Sequence, residues 1–283
     1  TPMLFSIGFL LIFLLGGITG VMVAVLPFDW QVTDSYFVVA HFHYVLNGAV
    51  VFPIFAAIYY WYPKMTGRML SERLGHMSFW VMFIGFNVAF FPMHILGLLG
   101  MPRRIYTYPS GLGWEWLNLV SSIGGFIFAI GVGITFLNLW VSRKHPRDAG
   151  PNPWHADTLE WATDSPTPEW NFAAVPIVES RHPLWDQQPM TFAENGAYGP
   201  EGALRRAIPI TGGLHADPED VLYVPAETAL PFWVALGLAL VFLAMLVQAQ
   251  LVAIVGLAVA GVAVLRWAWR IGDRDVPASE ETD

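Results

Sequence analysis

The sequence predicts an all-α integral membrane protein, a polytopic bundle of six transmembrane helices interrupted by an irregular polar segment. Hydrophobic residues fill 55% of the 283 positions and charged residues only 13%, a composition unlike that of a soluble domain. Several apolar runs reach about 20 residues, the length that crosses a bilayer as a helix. Basic residues recur in alternate loops, as is typical of polytopic membrane proteins.

The first two apolar runs begin the predicted bundle. Residues 4–26 form the first helix, and a short connection over residues 28–34 leads to the second. The second helix covers about residues 35–62 and should end at Pro63, because proline cannot continue the hydrogen-bond ladder. Pro53 lies inside this helix and should kink it unless a neighbouring helix compensates for the lost hydrogen bond.

Two further helices, over about residues 77–99 and 116–140, complete the first part of the bundle. The loop between them carries Arg103 and Arg104. The loops at the opposite end carry most of the other basic residues, so the positive-inside rule places those loops in the cytoplasm. Arg103 and Arg104 are then exceptions on the outer side, and such an exception indicates a bound anion.

The composition predicts four parts of the chain. Residues 1–142 form the four-helix part that carries all candidate ligands. Residues 143–228 form an irregular, acidic cytoplasmic segment, because their spacing follows neither the helix nor the strand period. Residues 229–270 form a transmembrane hairpin with runs at 230–247 and 251–265, and residues 271–283 form an acidic cytoplasmic tail.

Other classes of function are excluded by what the sequence lacks. It contains no cysteine, so neither a disulfide framework nor a thiolate metal site can form within this chain. The net charge of −8 comes mainly from the polar parts and gives no indication of nucleic-acid binding. The sequence has no glycine-rich phosphate loop, nucleophile elbow or zinc signature.

The second helix carries two histidines, His41 and His43, whose spacing suits two separate centres. A helix turns by about 100° per residue, so the two side chains leave it about 200° apart. A single metal chelated by one helix would need a spacing of three or four. An imidazole inside a membrane is costly and is usually functional, and it is a common axial ligand of haem iron. The alternative is that both histidines only hydrogen-bond to neighbouring helices.

Two stretches of the sequence resemble one protein family. Residues 33–46, TDSYFVVAHFHYVL, are similar to the tenth transmembrane helix of subunit I of the haem–copper terminal oxidases. Residues 91–97, FPMHILG, followed by residues 100–104, GMPRR, resemble the loop between helices eleven and twelve of that subunit. The resemblance runs from Thr1 to about Asp186 and identifies the chain as helices nine to twelve with a C-terminal extension.

The resemblance implies a ligand for each candidate residue. His41 would bind the iron of the high-spin haem that faces copper, and His43 the iron of the low-spin haem. Arg103 and Arg104 would pair with the propionates of both haems, because the planar guanidinium suits carboxylates. Asp29 would lie near a propionate.

Asp34 would bind an outer Mg²⁺ or Mn²⁺ ion, which prefers oxygen ligands. The family commonly has a histidine at the position of Thr33, so the ligands of this metal would differ here. The family also often has a glutamine before His94, where this chain has Met93.

By the same resemblance, the complex would reduce O₂ to water with electrons from cytochrome c and would pump protons across the bacterial plasma membrane. It would contain two haems, expected to be of type a, and copper whose ligands lie outside this chain. The expected partners are the lipid bilayer, the remaining helices of subunit I, subunits II and III, and cytochrome c, with no nucleic acid. Because the sequence begins with Thr1, a fragment or a split subunit is expected.

Two other functions stay open at this point. A quinol oxidase is the nearest alternative, because the pair of histidines is shared between the two branches of the family. A haem-free transporter or assembly protein, in which His41 and His43 are structural, is the alternative from another class.

Overall fold

The computed structural model describes residues 1–167, 172, 176–187, 207–211, 218–223 and 228–272. The chain divides into two compact units, residues 1–168 with 178–190 and residues 169–177 with 191–283. The first unit contains every candidate ligand that the sequence predicts.

Helices dominate the first unit. Three of its segments, α3, a π-helical turn and α4, follow one another without a break and form a single helix of 31 residues, which we call the histidine helix. The segments of the unit are α1 (Pro2–Ala24), α2 (Leu26–Val32), α3 (Tyr36–Phe42), the π turn (His43–Asn47), α4 (Gly48–Thr66), α5 (Glu72–Leu98), α6 (Glu115–Ser142), a 3₁₀ turn (Leu159–Ala162) and α7 (Pro183–Asp186).

A short helix, α2, lies where the sequence suggests a plain connection. Val25 has an extended backbone and precedes the helix, and Pro27 lies in its first turn. Proline is well tolerated there, because the first N–H groups of a helix have no partner within it. Asp29 also lies in this turn, where a negative charge stabilises the helix by interacting with its dipole.

The sequence predicted that the histidine helix ends at Pro63. In the structure it continues to Thr66 and is capped by Gly67. Pro53 and Pro63 both lie inside the helix, which membrane helices tolerate when neighbours and local adjustments satisfy the freed carbonyls. Gly67 has a φ of +69°, and its N–H donates to the carbonyl oxygen of Pro63 at 2.7 Å. This left-handed residue is a common helix terminator, so the glycine was the better signal.

The helices of the first unit pack around an aromatic core. Helix α1 lies against the histidine helix, and α5 packs along α6. A Cβ atom on Gly124 of α6 would overlap the backbone of Ala89 in α5, which is the close approach that small residues permit in membranes. The core contains Phe5, Tyr44, Phe52, Tyr59, Phe79 and Phe86.

Residues 151–165 fold back against the end of the histidine helix and are anchored there. Lys64 is only 7% exposed, and its Nζ donates to the carbonyl oxygen of Thr163 at 2.6 Å. Trp161 is fully buried, and its Nε1 donates to the hydroxyl of Tyr60 at 3.0 Å. This stretch of the predicted irregular segment therefore has a defined position on α4.

The second unit contains a strand pair and a helical hairpin. Strand β1 (Ala207–Thr211) pairs with β2 (Pro218–Tyr223) in antiparallel register, with an irregularity between Ile210 and Thr211. Helix α8 (Leu230–Leu246) packs against α9 (Gln250–Gly272). The sequence predicted no strand between residues 143 and 228. Each strand has only five or six residues, too few for a period to be recognised.

Five helices of the described chain are long and apolar enough to cross a membrane: Pro2–Ala24, Tyr36–Thr66, Glu72–Leu98, Glu115–Ser142 and Gln250–Ala268. Helix α8 is also apolar but has 17 residues, shorter than the other five. The architecture is that of a helical membrane protein, in agreement with the sequence. The count of six spans stays a prediction.

Candidate functional site

The two histidines lie where the histidine helix changes its winding. His41 belongs to the last turn of α3, and His43 is the first residue of the π turn. Such turns widen an α-helix locally and are frequent at functional sites. Nothing in the sequence indicated this turn. The side chains still leave the helix on different flanks, because His41 contacts α1 and His43 contacts α5.

His41 is held by two oxygen atoms of α1. Its Nδ1 lies 3.1 Å from the carbonyl oxygen of Gly16 and 3.1 Å from Oγ1 of Thr19. The Thr19 hydroxyl itself donates to Gly16 at 2.8 Å, so its oxygen can accept a hydrogen bond from the ring. We therefore assign the proton of neutral His41 to Nδ1, which leaves the lone pair of Nε2 for a metal.

His43 is held in the same tautomer by its own helix. Its Nδ1 lies 2.7 Å from the carbonyl oxygen of Val39, one turn earlier. The ring stacks on Phe90 of α5 with a centroid distance of 4.1 Å and an interplanar angle of 15°. The Nδ1 proton and the stacked ring fix the orientation of His43 and leave its Nε2 unprotonated.

The loop with the second motif docks on the start of the histidine helix. The backbone N–H of Tyr36 donates to the carbonyl oxygen of Met101 at 2.9 Å, and that of Arg103 donates to Asp34 at 2.9 Å. The two sequence motifs, about 60 residues apart, therefore lie side by side, as ligands of one site must. We call this end of the bundle the Asp34 end and the opposite end the Lys64 end.

Asp34 and Arg103 form an ion pair at the Asp34 end. Nε of Arg103 donates to Oδ1 of Asp34 at 2.6 Å, and Nη2 contacts the same oxygen. Asp34 and Arg104 both have positive φ values, +57° and +67°, which is unusual for residues other than glycine. Arg104 is exposed, and its guanidinium makes no hydrogen bond or ion pair within the described residues.

Two other polar side chains lie near this site. Asp29 on α2 is half-buried, and the part of the chain that the structure describes gives its carboxylate no partner. His94 on α5 is 7% exposed and packs against Phe37 and Tyr44 of the histidine helix, at centroid distances of 5.0 and 5.4 Å. Neither ring nitrogen of His94 has a hydrogen-bond partner among the described residues.

The donor atoms fit haem better than a chelated metal. Among the described residues, no group of three or more His, Asp or Glu side chains could hold a metal ion. His41 and His43 each offer one nitrogen, which is what axial ligation of a haem iron requires. The Mg²⁺ or Mn²⁺ site expected at Asp34 does not fit this arrangement, because Oδ1 already accepts a hydrogen bond from the guanidinium of Arg103.

Comparisons with known proteins agree with the motifs. Residues 1–127 match the family model described as cytochrome c and quinol oxidase polypeptide I. Cytochrome c oxidase subunit 1 of Alkalihalophilus pseudofirmus is 44% identical over 239 residues, which cover 84% of this chain and 35% of that protein. The same subunit of Bacillus subtilis is 42% identical over 240 residues, covering 84% of this chain and 36% of that protein.

A probable cytochrome c oxidase subunit 1-beta of Nocardia farcinica is 50% identical over 191 residues, which cover 66% of this chain and 32% of that protein. A solved structure of a haem–copper terminal oxidase dimer is similar to 50% of this chain and 26% of its own, with a TM-score of 0.46 and 26% identity. The chain spans about a third of the length of the curated relatives it matches.

Proposed function

The chain belongs to the cytochrome c and quinol oxidase polypeptide I family, and we propose that it forms the C-terminal part of the catalytic subunit of a bacterial cytochrome c oxidase. The observation that carries this proposal is the position of the two histidines and the hydrogen bonds of their rings. His41 and His43 lie on opposite flanks of one helix, and each is bound through Nδ1 and keeps Nε2 available.

In this proposal His41 ligates the high-spin haem and His43 the low-spin haem. When bound, the haems would supply the redox chemistry: both would carry electrons, and the high-spin haem would bind O₂. The chain itself orients the two histidine rings. The hydrogen bonds to Gly16 and Val39 hold each ring in one tautomer and make Nε2 a stronger donor, as carbonyl partners of ligating histidines do.

The loop that carries Arg103 and Arg104 would supply positive charge for the haem propionates. His41 lies seven residues beyond Asp34, which is about 10 Å along a helix axis, so the loop that docks at Asp34 would hold the propionates of a haem bound by His41. A guanidinium binds a carboxylate through parallel hydrogen bonds. Within the described residues the guanidinium of Arg104 has no partner, which supports this assignment, and Asp29 lies at the same end of the bundle on α2.

The remaining parts of the complex lie outside this chain. We propose that the copper ligands and the other helices of subunit I come from the part of the relatives that this chain does not match. Subunits II and III and cytochrome c are the proposed partners, with O₂ reduced to water, protons pumped and haems of type a. The Lys64 end, residues 143–228 and the C-terminus face the cytoplasm of a bacterial plasma membrane, which follows from the loop charges.

A quinol oxidase is the second candidate, because the matched family model includes both branches. The names of the similar curated proteins favour cytochrome c. The two electron donors are distinguished by the rate of O₂ consumption of the purified complex with reduced cytochrome c and with a quinol. A complex that oxidises only quinol would exclude the cytochrome c assignment.

Absorption spectra of the intact purified complex test the assignment of the histidines. His41→Ala should disturb the high-spin haem and abolish O₂ reduction, whereas His43→Ala should chiefly remove the low-spin haem signal. The matched control is His76→Ala on α5, because the side chain of His76 is 54% exposed and lies outside the proposed site. Unchanged haem spectra in either of the first two variants would contradict the two-centre assignment.

A further inference from the structure

Asp34 and Arg103 have a mutual contact that the family resemblance does not imply. The resemblance assigns them separate ligands, a divalent cation for Asp34 and a haem propionate for Arg103. In the structure the two side chains bind each other, through Nε and Nη2 of Arg103 and Oδ1 of Asp34.

The ion pair is reinforced by the backbone. The N–H of Arg103 donates to the carbonyl oxygen of Asp34 at 2.9 Å, so the two residues are joined by main chain and side chain at once. Exposed ion pairs are usually weak, partly because ordering two long side chains costs entropy. Here the backbone bond has already fixed the positions of both residues, and the side chain of Arg103 is 26% exposed, although that of Asp34 is 66% exposed.

A divalent cation does not fit at this ion pair. Mg²⁺ requires six ligands in near-ideal octahedral geometry, and Oδ1 of Asp34 is already occupied by two nitrogen atoms. A cation bound to the other oxygen would lie close to the guanidinium and would be repelled by its charge. The preceding residue, Thr33, offers a hydroxyl group where the family commonly has an imidazole.

The backbone conformation separates the two neighbouring arginines. Arg104 has a φ of +67°, a left-handed conformation that residues other than glycine seldom adopt. The loop is anchored just before Arg104, by the backbone bonds from Tyr36 to Met101 and from Arg103 to Asp34. As a result Arg103 is engaged by Asp34, whereas Arg104 is exposed and without a partner among the described residues.

We propose that the Asp34–Arg103 ion pair takes the place of the outer divalent cation in this chain and leaves Arg104 as the anion-binding arginine. The pair closes the loop on the start of the histidine helix without a metal, and Arg104 supplies the guanidinium for a carboxylate ligand. The proposal rests on the proposed function only in naming that carboxylate as a haem propionate.

The first test is for bound Mn²⁺ in the intact complex. The complex is purified from cells grown in excess Mn²⁺, and tightly bound Mn²⁺ is measured by EPR in wild type, Asp34→Asn and the control Asp148→Asn, at an exposed aspartate outside the proposed site. We expect no bound Mn²⁺ signal that depends on Asp34. A bound signal present in wild type and in Asp148→Asn but lost in Asp34→Asn would overturn the proposal.

The second test compares the two arginines through the haem midpoint potentials. A positive charge near a haem favours the reduced state, so Arg104→Gln should lower the potentials. The double variant Asp34→Asn with Arg103→Gln replaces a neutral ion pair by a neutral amide pair, so its potentials should stay close to wild type. Potentials lowered as far as in Arg104→Gln would mean that Arg103 itself binds the anion, and the proposal would fail.

The two tests separate this inference from the proposed function. A wild-type complex without haem absorption would refute the proposed function and would leave the Mn²⁺ result valid for Asp34. Conversely, a complex with normal haems and an Asp34-dependent Mn²⁺ signal would refute only the inference.

Discussion

Nδ1 of His41 lies 3.1 Å from the carbonyl oxygen of Gly16, so α1 determines which nitrogen of this ring on the histidine helix donates a hydrogen bond. The contact requires that the two helices approach closely. The small residues of α1 permit this approach, because a Cβ atom on Gly16 would lie 2.8 Å from Cγ1 of Val45. In the proposed function, a helix without any catalytic motif would therefore orient the ring of His41 for its metal, as outer hydrogen bonds commonly do.

Replacing Gly20 by alanine should disturb the high-spin haem. A Cβ atom at this position would lie 2.9 Å from Cε1 of His41, so the ring or the helix has to move. The matched control is Gly17→Ala, because a Cβ atom there has no neighbour within 4 Å. Alanine is the better helix former at both positions, so helix propensity cannot explain a difference. An absorption spectrum of Gly20→Ala identical to those of wild type and Gly17→Ala would contradict the proposed packing.

The sequence predicted the helices well because their signals are local. Runs of apolar residues and the positions of charges are sufficient to locate membrane helices. Their ends were less accurate: α5 begins at Glu72, capped by Ser71, whose hydroxyl accepts from the N–H of Leu74 at 3.5 Å. The sequence placed this start five residues later, because the first turns of α5 carry charged residues that an apolar criterion excludes.

The candidate site was only partly predictable, because contacts between distant residues have no local signal. The motifs indicated His41, His43 and the two arginines, but they did not indicate which atoms hold them. The contact of the Thr19 hydroxyl with His41 and the ion pair of Asp34 with Arg103 both join segments that are far apart in the sequence. The π turn also had no signal in the motifs. His94 is buried, and its ring nitrogens have no hydrogen-bond partner in the part of the chain that the structure describes. The sequence drew attention to it only through the preceding residue, Met93.

Cysteine labelling should place the two ends of the bundle on opposite sides of the membrane. The sequence contains no cysteine, so a single introduced cysteine reports one position of this chain. Ser110 and Lys144 are both exposed and lie in loops at opposite ends of α6. In sealed cells an impermeant thiol reagent should label Ser110→Cys but label Lys144→Cys only after permeabilisation. Labelling of both from the same side would contradict the proposed topology.

The attachment of residues 178–187 should depend on pH through Asp157 and His182. Asp157 accepts a hydrogen bond from Nδ1 of His182, and this bond raises the pKa of His182 above its ordinary value of 6.5. The same bond lowers the pKa of Asp157 from its ordinary value of 3.8. The charge of Asp186 also raises the pKa of His182, and the cation nearest to His182 in the sequence is Arg181.

The direction of the pH dependence follows from the linkage between proton binding and the attachment of residues 178–187. The contribution of His182 is complete below its ordinary pKa and is lost as the pH rises through the raised value. The contribution of Asp157 is complete above its ordinary pKa and is lost as the pH falls through the lowered value. Protection of residues 178–187 from hydrogen exchange should therefore be greatest in weakly acidic solution, relative to His182→Gln at each pH. An equal protection of both proteins at every pH would contradict this prediction.

Lys64 should be far less reactive than Lys144, the only other lysine of the sequence. Nζ of Lys64 donates to the carbonyl oxygens of Thr163 and Pro151 at 2.6 and 3.0 Å and lies 5.2 Å from the ring centroid of Trp161. A buried ammonium so enclosed reacts only when residues 151–165 detach from the histidine helix, because its amine must lose a proton and meet the reagent. Lys144 is exposed and serves as the internal reference within the same molecule.

Reductive methylation of the intact complex, followed by mass spectrometry of the lysine peptides, measures both rates. Trp161→Ala removes the buried ring that covers Lys64 and should raise its methylation rate towards that of Lys144. Tyr60→Phe is the milder variant, since it removes only the hydroxyl that accepts from Trp161 at 3.0 Å and leaves one buried donor unpaired, at a cost of about 1–3 kcal/mol. Trp185→Ala is the matched control, because Trp185 is 61% exposed and does not cover the lysine. Equal rates for Lys64 and Lys144 in wild type would mean that residues 151–165 do not enclose Lys64. Continued protection of Lys64 in Trp161→Ala would mean that the indole does not hold this segment in place.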